Sequence, residues 1–70
     1  MKPKVGDIML HRRCLDGSNM QPLRCKITRI AQGVLYYRPH YGLHDDGTEW
    51  LGSATYCLLA DIDRYLEELS

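Results

Sequence analysis

The stretch from Leu23 to Arg38 constrains the fold more than any other part of the chain. Leu23-Arg24-Cys25-Lys26-Ile27-Thr28 alternates apolar and polar residues. That two-residue period belongs to a strand with one buried face and one wet face. Leu23, Cys25 and Ile27 are expected inward, and Arg24, Lys26 and Thr28 outward. Ile30 breaks the parity, so a β-bulge near Thr28–Arg29 is expected, restoring the phase and bending the strand. Ala31-Gln32-Gly33 follows as a short turn, with a glycine available for positive φ. Val34-Leu35-Tyr36-Tyr37-Arg38, β-branched and aromatic, reads as the return strand. Pro39 lacks an N–H and is expected to end the ladder.

The flanking segments are shorter and more punctuated. Residues 1–4 read as a frayed end, and Val5-Gly6-Asp7 as a turn into a first strand ending at Leu10. Leu15 to Pro22, with Asp16-Gly17 and Ser18-Asn19, reads as a loop. Residues 39–47 read as a longer loop closed by Asp46-Gly47, and Thr48–Leu51 as a short strand stopped by Gly52-Ser53. Leu59, Ile62, Leu66 and Leu69, widened by Leu58 and Tyr65, follow a helical apolar stripe. The helix start is open between Ser53 and Ala60-Asp61. Glu67 and Glu68 suit the negative end of a helix dipole poorly. The expectation is one β-rich α+β domain over residues 1–70. A small bent antiparallel sheet or barrel would span 5–57, and a C-terminal α-helix 58–69. Seventy residues leave room for one core only.

Charge divides the chain in two. Residues 1–38 hold eight Lys/Arg against Asp7 and Asp16, a net +6. Residues 39–70 hold Arg64 against seven acids, a net −6. The halves either neutralise each other within the fold or present opposed faces to a partner. Cys14, Cys25 and Cys57, odd in number and irregularly spaced, argue against a disulfide framework. With no apolar run after the initial lysines and none of about 20 residues, a cytoplasmic chain with no membrane partner is expected.

Chemistry-bearing constellations are sparse. His11, Cys14, His40 and His44 have tolerable ligand spacings, but there is no Cys-x-x-Cys knuckle, so no metal or other cofactor is expected. Cys14, beside Arg12 and Arg13 and near His11, is the one thiol whose neighbours suit activation. No nucleophile elbow or phosphate loop is present, and no small-molecule substrate or enzyme activity is expected.

The Val5-Gly6-Asp7 opening, the Asp16-Gly17 loop and the CKITRI-AQG-VLYYR hairpin resemble an SH3-like small barrel of the Tudor/KOW kind. Short phage-encoded and prophage-encoded proteins also read this way. The stretch Tyr36 to Gly42 resembles the strand and loop where Tudor-type domains place aromatic residues. The resemblance covers about residues 5–57 and implies a binding module. The Val5-Gly6-Asp7-Ile8 opening also resembles that of toxin endoribonucleases with such barrels, which makes a small nuclease the third reading.

Two binding readings follow from the residues. Rings and arginines are the types that anchor protein interfaces, so a protein partner or a second copy is the first expectation, a homodimer included. Arg12, Arg13, Arg24, Lys26, Arg29 and Arg38, with Tyr36 or Tyr37 for stacking, make nucleic acid the alternative. Tyr41 and Trp50 complete the candidate site in the exposed loop and neighbouring strand.

Overall fold

The computed structural model describes residues 2–12 and 23–69. They form β1 (Ile8–His11), β2 (Leu23–Ala31), β3 (Val34–Leu43), β4 (Glu49–Leu51) and β5 (Thr55–Leu58). A 3₁₀ turn (Leu59–Asp61), a single-turn α1 (Ile62–Tyr65) and β6 (Leu66–Glu68) follow. All pairings are antiparallel, and the sheet order is β4-β3-β2-β1-β6, with β5 also on β3. The sheet is open, bent around a core on one face. Its buried members are Met9, Cys25, Ile27, Leu35, Tyr37, Cys57, Ile62 and Leu66.

The central hairpin forms as its alternation requires. Cys25 and Ile27 are buried and Arg24 is exposed. The register shifts between Ile27 and Arg29, which places the expected bulge at Thr28. Gln32 (φ 52°) and Gly33 (φ 77°) fill a two-residue loop between paired Ala31 and Val34, with positive φ at both positions. Such turns match the right-handed twist of the flanking strands. The Gly33 carbonyl accepts a hydrogen bond from Leu59 N–H at 2.8 Å, so the same turn fixes the start of the 3₁₀ segment.

Pro39 does not end the ladder. β3 continues to Leu43, and Pro39 sits opposite Cys25. In a strand, the N and C=O of one residue point to the same side. The Pro39 carbonyl accepts from Gly52 N–H at 2.8 Å, so its nitrogen also faces the β4–β5 connection rather than β2. There β3 changes partner, from β5 up to Tyr37 to β4 from His40 onward, and the missing donor leaves no gap in either ladder. The loop expected over 39–47 is therefore reduced to residues 44–48.

The C-terminal helix expected over 58–69 is also corrected. Leu58 ends β5, helical backbone covers Leu59–Tyr65, and Leu66 turns extended (φ −128°, ψ 151°). Leu66–Glu68 then pairs with His11, Leu10 and Met9. Of the expected stripe, Ile62 reaches the core from α1 and Leu66 from β6, Leu59 and Tyr65 pack against it, and Leu58 and Leu69 are exposed. The strand also explains the acidic end. Glu67 and Glu68 sit on a sheet edge and not on a helix terminus.

Two outcomes test this architecture. Leu66→Ala should cost about 2–4 kcal/mol in urea unfolding, because a fully buried leucine on β6 leaves a cavity where a frayed helix end would not. Gln32→Asn should stabilise by about 0.5 kcal/mol in the same assay, since asparagine tolerates the left-handed region better.

Candidate functional site

The surface carries two groups of rings. The first is built by the β3–β4 hairpin. The register shifts between His40 and Gly42, so Tyr41 occupies a bulge, and Gly42 has φ 132°. The Tyr41 ring lies over Gly52, where an added Cβ would stand 3.0 Å from its Cε2 and Oη and 3.1 Å from Pro39 Cγ. Tyr41 meets Trp50 at 5.4 Å between centroids, and Trp50 stacks on His44 at 5.7 Å. Tyr41, Trp50 and Leu43 remain 51%, 53% and 66% exposed. The tip is held from below. Asp46 Oδ1 accepts from Thr48 N–H at 2.9 Å and from Thr48 Oγ1 at 2.6 Å, which holds the Asp46 carboxyl below its ordinary value. Gly47 N–H donates to the His44 carbonyl, and His44 N–H to that of Thr48.

The second group is a cross-strand row on the outer face. Arg29, Tyr36 and Tyr56 are successive neighbours across β2, β3 and β5. The Arg29 guanidinium lies 5.6 Å from the Tyr36 centroid, and Tyr36 lies 6.2 Å from Tyr56. Tyr56 and Leu58 are exposed large apolar residues at the sheet edge.

The basic residues are less available than their number suggests. Lys26 and Arg38 face each other directly across the ladder. Lys26 Nζ donates to both Glu49 carboxylate oxygens, 2.7 Å to Oε1, and this holds the Glu49 carboxyl below its usual value. Arg38 Nε donates to the Gly52 carbonyl at 2.6 Å. Arg12 Nη2 lies 3.9 Å from Glu67 Oε2. Arg24 and Arg29 stay exposed on the outer face, and Arg13 lies outside the described residues. The +6 and −6 halves thus meet inside the fold at two places.

Tyr37 is corrected. It faces the core with Leu35 and is 3% exposed, so it offers no stacking surface, and Tyr36 alone of the pair does. Burial, followed by the neighbouring Cys57, Cys25 and Tyr65, pushes the Tyr37 hydroxyl up to about 12. Tyr56 and Leu43 join the surface groups without having stood out in the sequence, as do Leu58, read there as part of a helical stripe, and His44, weighed there only as a metal ligand. Thr55-Tyr56-Cys57-Leu58 does alternate about a buried Cys57, but the tail's helical stripe claimed Leu58.

Neither of the two described thiols is activated. Burial raises the Cys25 thiol to about 11, and burial followed by Asp61 raises that of Cys57. Cys25 Sγ donates to the Leu23 carbonyl at 3.9 Å. Cys14 lies outside the described residues. Among those described, no three His, Cys, Asp or Glu side chains are grouped to hold a metal ion, and no helix is long and apolar enough to cross a membrane. No known protein family matches the chain, and no curated protein or solved structure matches it.

The buried thiols set an alkaline limit. Above the ordinary thiol value of 9.0 an unfolded Cys25 releases its proton, while the folded one keeps it to about 11. The unfolded state then binds fewer protons, so stability is intact below pH 9.0 and falls as pH rises from there. Thermal melts should show that decline. Site-resolved mass spectrometry should find Cys25 and Cys57 alkylated by iodoacetamide at mildly alkaline pH only after denaturation.

Proposed function

We propose that this chain is an SH3-like barrel left open along one seam, and that it works as a non-enzymatic interaction module. It binds a protein partner or a second copy of itself through the Tyr41–Trp50 tip. The observation that carries this reading is the pair of half-exposed rings, 5.4 Å apart, on a hairpin held by the Asp46–Thr48 hydrogen bonds. Large rings held in place in the free protein lose little freedom on docking and bury much apolar surface. The strand order, with a helical turn before the strand that returns to β1, supports the barrel reading.

Nucleic acid is the second reading, favoured by the Arg29–Tyr36–Tyr56 row beside exposed Arg24. Its weakness is electrostatic, since Lys26 and Arg12 already face carboxylates of the same chain.

Trp50→Ala and Tyr41→Ala, compared with the unaltered protein, test the first reading. Light scattering over a concentration series and cross-linking in host extract should show self-association or a discrete partner adduct, weakened at least about tenfold by Trp50→Ala. Equal behaviour of all three proteins would overturn it. Gel shifts with single-stranded DNA and RNA at about 50 mM and about 200 mM salt test the second, which requires binding that falls steeply with salt.

A further inference from the structure

We infer that the open seam of the sheet, along β5, receives an extended cationic peptide segment of another protein as an added strand. This rests on the interaction-module reading but uses a surface centred on β5, which meets the ring pair of the hairpin tip only at Tyr41.

The geometry begins with the edge. Among the described residues β5 pairs with β3 alone, so its outer backbone groups face the seam. Thr55-Tyr56-Cys57-Leu58 carries no charge, proline or glycine, the residues that ordinarily blunt a sheet edge. At about 3.4 Å per residue the edge is about 14 Å long, enough to pair three or four residues.

Beside this edge lies a groove. One cleft of about 420 Å³ is bounded by β5 on one side and by His11, Asp61 and Tyr65 on the other. A second, of about 350 Å³, continues past Ser53 and Ala54 toward Tyr41 and Pro39. The two share His11, Tyr37 and Thr55, so they form one trough that follows β5 and its lead-in. A trough walled by a bare strand fits an extended chain: its backbone satisfies the edge while alternate side chains enter the clefts. Tyr65, Tyr56 and Leu58 give those side chains largely apolar walls, over a floor of the buried His11 and Tyr37 rings 5.8 Å apart.

Charge selects the occupant. Asp61 is the carboxylate that lines the trough, no Lys or Arg lines it among the described residues, and Glu67 on the neighbouring strand already faces Arg12. A segment with alternating apolar residues and a lysine or arginine at the Asp61 end is complementary. An acidic one is repelled. Asp61 makes no side-chain capping bond to α1, so its charge can be changed without removing a cap.

The test is selection from a displayed library of random dodecamers against the full chain, followed by amide NMR with the best synthetic peptide. Selected peptides should alternate apolar residues and carry a Lys or Arg. The largest shifts should fall on Thr55–Leu58 and His11. Asp61→Lys should weaken the peptide about five- to tenfold, and Asp61→Asn by less. Trp50→Ala should leave it unchanged, which separates this site from the tip. Four results would each overturn the inference. They are a library without binders, shifts centred on Tyr41 and Trp50, an affinity indifferent to both Asp61 variants, and concentration-dependent changes at Thr55–Leu58 without peptide, which would make a second copy the occupant.

Discussion

Ten residues of extended backbone, Val34–Leu43, must satisfy both of their hydrogen-bonding edges at once, and the rest of the sheet depends on how they do so. One edge is met by β2 along most of its length. The other is shared, first by β5 and then by β4. No straight strand serves three partners in a chain this small. The two register shifts, at Thr28 on the β2 side and at Tyr41 on the β4 side, supply the bends. They also set what each bend displays: Thr28 Oγ1 returns to the Tyr36 carbonyl at 3.4 Å, whereas Tyr41 is turned outward over Gly52. Sheet curvature and ring display are one feature.

The same economy governs the polar groups. Pro39 stands where β3 passes from one neighbour to the next, and the Gly52 amide that meets its carbonyl belongs to the residue whose own carbonyl accepts from Arg38. Gly52 is thus fixed through its amide and its carbonyl, and the Tyr41 ring covers the place a side chain would fill. The connection from β4 to β5 is held without a core residue of its own, and it ends where the open edge of β5 begins.

Local pattern made the central hairpin legible down to its bulge, because parity over Leu23–Ile30 admits few other phases. It made the tail misleading. Over a short apolar run, Leu59, Ile62 and Leu66 satisfy a helical spacing, yet the strand that ends the chain is chosen by β1, which has an edge to fill. The misfit of Glu67 and Glu68 at a helix terminus was the clue that local spacing alone did not resolve. Of the candidate site, Tyr41, Trp50, Arg24, Arg29 and Tyr36 lie exposed or half-buried on the surface, while Tyr37 faces inward. Which of two adjacent tyrosines faces water depends on the phase of β3, and β2 and β5 set that phase together. Charge showed the same limit: composition along the chain exposed two opposed halves, but only the fold says that Lys26 meets Glu49 and Arg12 meets Glu67.

The Lys26–Arg38 juxtaposition has a consequence for how such a chain can diverge. Two cations directly opposite on a ladder repel, and here Glu49, 23 positions from Lys26, and the Gly52 carbonyl offset that repulsion. Replacing Glu49 by a neutral residue exposes the repulsion, whereas replacing Lys26 first removes it and leaves Glu49 free to drift. The order of substitution therefore matters. Positions 26, 38 and 49 are coupled, and the effect of changing one depends on which residues occupy the other two.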